Sequence, residues 1–499
     1  EQMQTTQDTV LRATAESVEE VRITTTNPNA NQGRSSGAQI SLVTKSGTNN
    51  WRGSVFYFYR PTMGSANTFF NNALGNDSNG DPIAPRPSLS RDVFGGAIGG
   101  PIVKDRFFFF YTYEGQREQQ EVSVVRVVPL AHLGQGQIRF SGTGPSCVNG
   151  QCVVGLAELN NSIYPEVGIN PLAMNVLASA ASRYAANDTS EGDGVNTGGF
   201  RFNAPTSTEE NTHIARFDFK INDRQSLYAR FNYQNDLLTG ASNFPDTPST
   251  SLWDHPKGFM VGHDWAIGNN RVNNFRYGLT RQAFSQQGDS SESNISFRFV
   301  FSPLAFVRTL SRITPTHNLT DDFTWIKGNH TWQFGGNVRI IRNQRVDFAN
   351  AFDDAVTNPS FYNFSGAVLE EAFFNAGYTV DDGDITTLQA AATALIGRYS
   401  QYSGNFTFDL DGSVLPSGTP TNRNFATEEY DAYVQDIWKV RSDLTLTLGL
   451  RYGVSRPVYE TEGFQVVPDE PLGDFFARRQ ASALNGVPLN DLIQFVKAG

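Results

Sequence analysis

Asp443-Leu-Thr-Leu-Thr-Leu-Gly-Leu-Arg-Tyr-Gly453 decides the fold of this chain. Leu444, Leu446, Leu448, Leu450 and Tyr452 fall on one face of an extended strand. Thr445, Thr447, Gly449, Arg451 and Gly453 fall on the other. Period-2 alternation of this kind is the signature of a strand with one apolar and one polar side. The preceding stretch, 428–439, ends at the tight turn Val440-Arg-Ser-Asp443, so the two segments read as a hairpin.

The same unit recurs upstream. Ala215, Phe217, Phe219 and Ile221 oppose Arg216, Asp218 and Lys220, and after Asn222-Asp-Arg-Gln225 the residues Leu227, Ala229, Phe231 and Tyr233 oppose Arg230 and Asn232. Residues 258–267 and 271–286 flank Gly268-Asn-Asn270. Residues 317–327 and 330–348 flank Gly328-Asn329, with Trp332, Phe334, Val338 and Ile340 facing away from Gln333, Asn337 and Arg339. Residues 93–101 and 106–118 flank Lys104 and Asp105, and Trp51–Arg60 precedes them all. Eleven strands are predicted, many longer than the ~5–6 residues usual in soluble proteins.

The connections alternate strictly. Five are tight; the others (61–92, 119–210, 237–257, 287–316 and 349–427) are long, polar and rich in Gly, Asn, Ser and Pro. In an up-and-down meander, short and long loops then lie at opposite ends, as in a membrane β-barrel that is apolar outside and polar inside. A β-sandwich would not segregate its loops by length, and a propeller would repeat at a fixed period. The fold class expected is all-β: a transmembrane antiparallel β-barrel.

Composition agrees. The 499 residues would allow about three ordinary domains, but only 39% are apolar and 18% charged, against 12% aromatic. Soluble domains run at ~45–50% apolar and ~25% charged. A lipid-facing belt with aromatic girdles needs less core and less charge. No run approaches the ~18 apolar residues of a membrane helix, and a net charge of −11 argues against a nucleic-acid partner.

Outside the hairpin rhythm, Ser17-Val-Glu-Glu-Val-Arg22 reads as a short helical entry into a strand. The loop Gly33-Arg-Ser-Ser-Gly37 follows, then a strand at 38–44. These blocks, with Gln39-Ile-Ser-Leu-Val-Thr-Lys-Ser-Gly-Thr-Asn49, resemble the C-terminal part of the plug of TonB-dependent outer-membrane receptors. Trp51-Arg-Gly-Ser-Val-Phe-Tyr-Phe58 is similar to that family's first barrel strand. Phe94-Gly-Gly-Ala-Ile-Gly-Gly-Pro-Ile-Val-Lys-Asp-Arg-Phe107 and Tyr433-Val-Gln-Asp-Ile-Trp438 resemble the Oar-like subgroup in particular.

The resemblance implies residues 1–50 as the end of a plug and 51–456 as the first eleven strands of a 22-stranded barrel. Residues 457–499 would begin a further extracellular loop, and the whole chain would be a fragment. It implies active import across the outer membrane of a small ligand, glycan or peptide. TonB and its inner-membrane energising complex would act through a TonB box upstream of Glu1. Outer-membrane lipid is the other partner, and a monomeric barrel is expected. The rival readings are a passive porin or a surface-adhesion barrel.

Site residues follow from the same faces. Gly33, Arg34 and Gly37 are read as a plug loop, and Gly95, Ala97 and Gly99 as small inward residues that let the plug approach the wall. Inward Arg216, Asp218, Arg230, Arg339 and Arg451 read either as substrate contacts or as a wall network. Cys147 and Cys152, in a Gly/Pro-rich loop, read as a short disulfide, the alternative being two free thiols.

No enzyme is expected. Gly33-x-Ser-x-Gly37 lacks the strand-then-helix context of a nucleophile elbow, and Gly95–Gly100 lacks the helix that a phosphate loop needs. The six histidines show no metal-ligand spacing. Asp77–Asp81 and Asp381–Asp384 read as solvated turns, since neither has the full loop of a calcium site. No cofactor is expected.

Overall fold

The structure is a computed structural model, and it describes residues 10–25, 29–30, 33, 39–357, 359, 363–399 and 401–498. A short 3-10 turn, Ala15–Ser17, leads into β1 (Val18–Thr24), which pairs antiparallel with β2 (Gln39–Thr44). Eleven wall strands follow. They are β3 (Arg52–Pro61), β4 (Leu89–Val103), β5 (Phe107–Pro129), β6 (Thr197–Asn222), β7 (Gln225–Gln234), β8 (Lys257–Ala266), β9 (Arg271–Gln287), β10 (Leu310–Lys327), β11 (His330–Asp347), β12 (Thr421–Arg441) and β13 (Leu444–Ser455). Each pairs antiparallel with the next in chain order. Short segments Asp236–Thr239 and Ser251–Asp254 continue β7 and β8 beyond a break. Among the described residues, β3 and β13 end the meander. No described helix is long and apolar enough to cross a membrane.

The alternation read from sequence sets the two faces. Leu448, Leu450 and Tyr452 stand outward, exposed by 62%, 70% and 71%. Trp253 and Trp265 share the outer face twelve residues apart. At ~3.3 Å per residue and ~40° of tilt they bracket a band about 30 Å tall, the height of a hydrocarbon layer.

Two sequence expectations need correction. The region 119–210 is not one loop, because β5 and β6 pair without interruption from Phe107↔Phe219 to Pro129↔Thr197. The run Val122-Ser-Val-Val-Arg-Val-Val128 is rich in β-branched residues that favour a ladder, and it carries the wall past the membrane band. The loops are also not uniformly polar connections. Helices α1 (Pro171–Arg183), α2 (Asn363–Asn375) and α3 (Ile385–Ile396) form a lobe with a small sheet of Ile138–Thr143, Gln151–Val154 and Thr379–Val380.

The lobe holds the chain's main apolar core: Leu133, Ile138, Phe140, Leu159, Leu177, Phe373, Leu388 and Leu395 are fully buried there. Phe140 packs edge-on against Phe373 at 5.5 Å between ring centroids. The start of α1 is capped by Asn170, whose Oδ1 accepts from the Leu172 and Ala173 N–H groups, with Pro171 in the first turn. Residues 457–499 likewise carry structure, a helix α4 (Leu472–Leu484) and the strand pair Val466–Pro468 with Phe495–Lys497.

Candidate functional site: a segment held on the inner face of the wall

Strand alternation turns Arg, Asp, Glu, Asn and Thr side chains toward the concave side of the sheet. The described parts of residues 10–48 lie against that side and are held by side chains from several distant strands. Arg12 is the principal anchor. Its Nη2 lies 3.0 Å from Glu210 Oε1 and 2.9 Å from Asp236 Oδ2, its backbone N–H donates to Gln234 Oε1, and its carbonyl accepts from Asn232 Nδ2. Asp236 is buried, so the guanidinium supplies the countercharge that a desolvated carboxylate requires.

Further along, Glu16 accepts from Ser54 Oγ on β3 at 2.9 Å and pairs with Lys45. Arg216 on β6, itself paired with Asp218, donates to the Thr44 carbonyl at 2.8 Å. Ala30 is gripped from both sides. Its N–H donates to Gln435 Oε1 on β12, and its carbonyl accepts from Arg451 Nη1 on β13.

Backbone approaches backbone at one further point. A Cβ built at Gly47 would lie 2.8 Å from the Gly100 carbonyl oxygen, and one at Gly99 would lie 3.6 Å from Gly47 Cα. Only glycine fits at Gly47, because any side chain would enter the wall.

The residues singled out from sequence are distributed as follows. Gly33 lies beside the Arg451 guanidinium, whereas Arg34 and Gly37 lie outside the described residues. Ala97 and Gly99 line a recess shared with Glu16, Glu19 and Lys45. Gly95 is covered instead by Phe56 of β3, whose ring lies 2.9 Å from the place a Cβ would take. Cys147 and Cys152 are joined by a disulfide within the lobe, with Cα atoms 3.9 Å apart. Arg339 and Arg451 pair with Glu429 and Asp431.

Sequence reasoning missed Arg12, Glu210, Asp236 and Gln435. Glu210 fell within the stretch read as a loop, and nothing marked Arg12 as its partner about 200 residues away. Among the described residues, no group of three or more His, Cys, Asp or Glu side chains is arranged to hold a metal ion.

A sheet that is apolar on its outer side and charged within, closed by tight turns at one end and carrying a chain segment across its concave face, defines a membrane β-barrel wall with an internal occupant. The outer membrane β-barrel domain family matches residues 43–471, and the chain belongs to it. It resides in the outer membrane. No curated protein matches the sequence.

Similar solved structures include the outer membrane transporter YddB from Escherichia coli, at 12% identity and TM-score 0.49, covering 89% of this chain and 44% of that one. The ferripyoverdine receptor of the outer membrane of Pseudomonas aeruginosa is similar at 11% identity and TM-score 0.41, covering 89% and 42%. The siderophore receptor PirA from Acinetobacter baumannii is similar at 12% identity and TM-score 0.40, covering 88% and 44%. The chain thus spans less than half the length of these structures.

Proposed function

We propose that this chain forms part of a TonB-dependent transporter that imports a ligand across the outer membrane. Residues 1–50 act as the end of the plug, and residues 51–456 are the first eleven strands of a 22-stranded barrel. The observation that carries this reading is the attachment of the described parts of residues 10–48 to the inner face. A lumen crossed by a chain segment is not a passive channel, so transport requires that the segment move.

The anchors suit such a role. They are hydrogen bonds and ion pairs that water can replace one at a time, rather than an apolar core that must be opened at once. TonB would pull the plug, energised by the proton-motive force, after ligand had bound at the extracellular loops and plug. The resemblance of Phe94–Phe107 and Tyr433–Trp438 to the Oar-like subgroup supports the same assignment.

The test is uptake by cells producing the full-length protein. Solutes lost from the medium are followed by mass spectrometry with and without a protonophore. Uptake that stops when the gradient collapses is expected. Gradient-independent uptake would replace the transporter with a passive porin, and surface binding without uptake would replace it with an adhesion barrel.

A further inference from the structure

Among the four arginines that line one cavity on the inner face, one stands apart. Arg276, Arg339 and Arg451 each face a carboxylate, respectively Asp322, Glu429 and Asp431, and Arg216 pairs with Asp218. Arg230 lies beside Arg216 in the ladder, in register with it across β6 and β7, yet makes no hydrogen bond or ion pair among the described residues. An unmatched guanidinium drawn away from water is costly unless an anion meets it.

Arg230 borders a cavity of about 600 Å³ between the wall and the N-terminal segment. Thr280, Thr316 and Asn318 line it from β9 and β10, and Val10 and Leu11 close it from the segment. The acid that lines it, Asp431, is engaged by Arg451. Asn232 also borders it; its Nδ2 holds the Arg12 carbonyl, while its Oδ1 is buried without a hydrogen-bond donor. The cavity exists because the wall recesses at Gly278. A Cβ there would meet nothing closer than the Phe259 carbonyl oxygen at 3.9 Å.

We infer that this cavity is a binding site for a small hydroxylated oxyanion, a carboxylate or phosphate ester bearing hydroxyl groups. The planar fork of Arg230 matches an oxyanion in a bidentate way. Thr280, Thr316 and Asn318 offer further hydrogen-bonding groups, and Asn232 Oδ1 accepts from a ligand hydroxyl. A ligand seated here touches wall and segment together. It therefore occupies the path that the import reading, on which its transport role rests, assigns to the passing substrate.

Equilibrium binding to the purified full-length protein in detergent micelles at low salt tests the site. Titration calorimetry with gluconate, glucose 6-phosphate and uncharged glucitol separates the chemistries. Gluconate or glucose 6-phosphate should bind and glucitol should not; which oxyanion binds tells carboxylate from phosphate. Arg230→Gln should weaken binding at least about tenfold, the loss of one charge-assisted contact, and Arg230→Lys should restore part of it.

Gly278→Leu fills the recess without displacing backbone and should block binding, which keeps the site testable if an Arg230 variant fails to fold. Equal affinity in wild type, Arg230→Gln and Gly278→Leu would overturn the site. So would glucitol binding as tightly as gluconate, or no oxyanion binding at about 1 mM. Because no proton gradient is involved, a failed uptake experiment leaves this result intact, and the reverse also holds.

Discussion

The wall and the lobe built from its long loops solve the same problem in opposite ways. Along β13 the leucines point out of the protein, and the sheet becomes stable only when lipid covers them. In the lobe, Phe140, Leu159, Leu177, Phe373 and Leu395 are withdrawn entirely into the protein, as they would be in a water-soluble domain. One region borrows its apolar environment and the other makes its own. A substitution should therefore act through packing in the lobe and through transfer into the bilayer in the wall.

The contrast can be broken or sharpened by a graded set of changes. Phe373→Ala should cost the lobe about 3–5 kcal/mol by leaving a cavity. Limited proteolysis should then cut between 130 and 196 while the barrel keeps its heat-modifiable mobility; loss of the barrel as well would show that the two regions are not independent. Leu448→Arg should do the converse, costing the wall up to about 2–4 kcal/mol by placing a charge on its lipid face, read from denaturant titration in lipid vesicles, with lobe cleavage unchanged.

Removing the Cys147–Cys152 crosslink by double serine substitution should cost the lobe about 2 kcal/mol, as expected for so short a loop, and leave the wall alone. Arg12→Ala should strip two carboxylates of their partner and loosen the N-terminal segment by about 2 kcal/mol. Faster amide exchange over residues 10–24 with an unaltered sheet would be the sign.

The smallest effect concerns pH. Burial in the lobe, with Arg139 nearby, holds the His132 imidazole below its usual range. The unfolded chain then binds this proton more readily than the fold does. Lobe stability falls as pH drops through the ordinary histidine range and levels off once the folded imidazole is also protonated. Melting at pH 8 and pH 5, with His132→Gln expected to flatten the difference, checks the sign.

Period-2 alternation made the wall legible. The strand seen at 443–453 is Leu444–Ser455, and all five tight turns fall where Gly, Asn and Asp mark them. The lobe was not legible because its signals have another period. Asn170-Pro171 is a helix start, and the apolar run before Gly397 is a helix end, but both sit in stretches whose overall composition is that of a loop. Of the site, the inward parity of Arg216, Arg230, Arg339 and Arg451 was readable. Which of them would have no partner among the described residues was not, since that depends on strands brought together from across the chain.

The lobe also dictates an order of events. Each tight hairpin closes locally, so neighbouring wall strands can zip together as they emerge. The lobe core joins Phe140 to Phe373 and Ser146 to Tyr378, partners more than 200 residues apart, with β6 to β11 between them. Loop closure over that span is unfavourable until the intervening strands have already brought the ends near. The lobe is therefore the last part to set. Once set, it links the β5–β6 connection to the β11–β12 connection across the strands that had to be in place first.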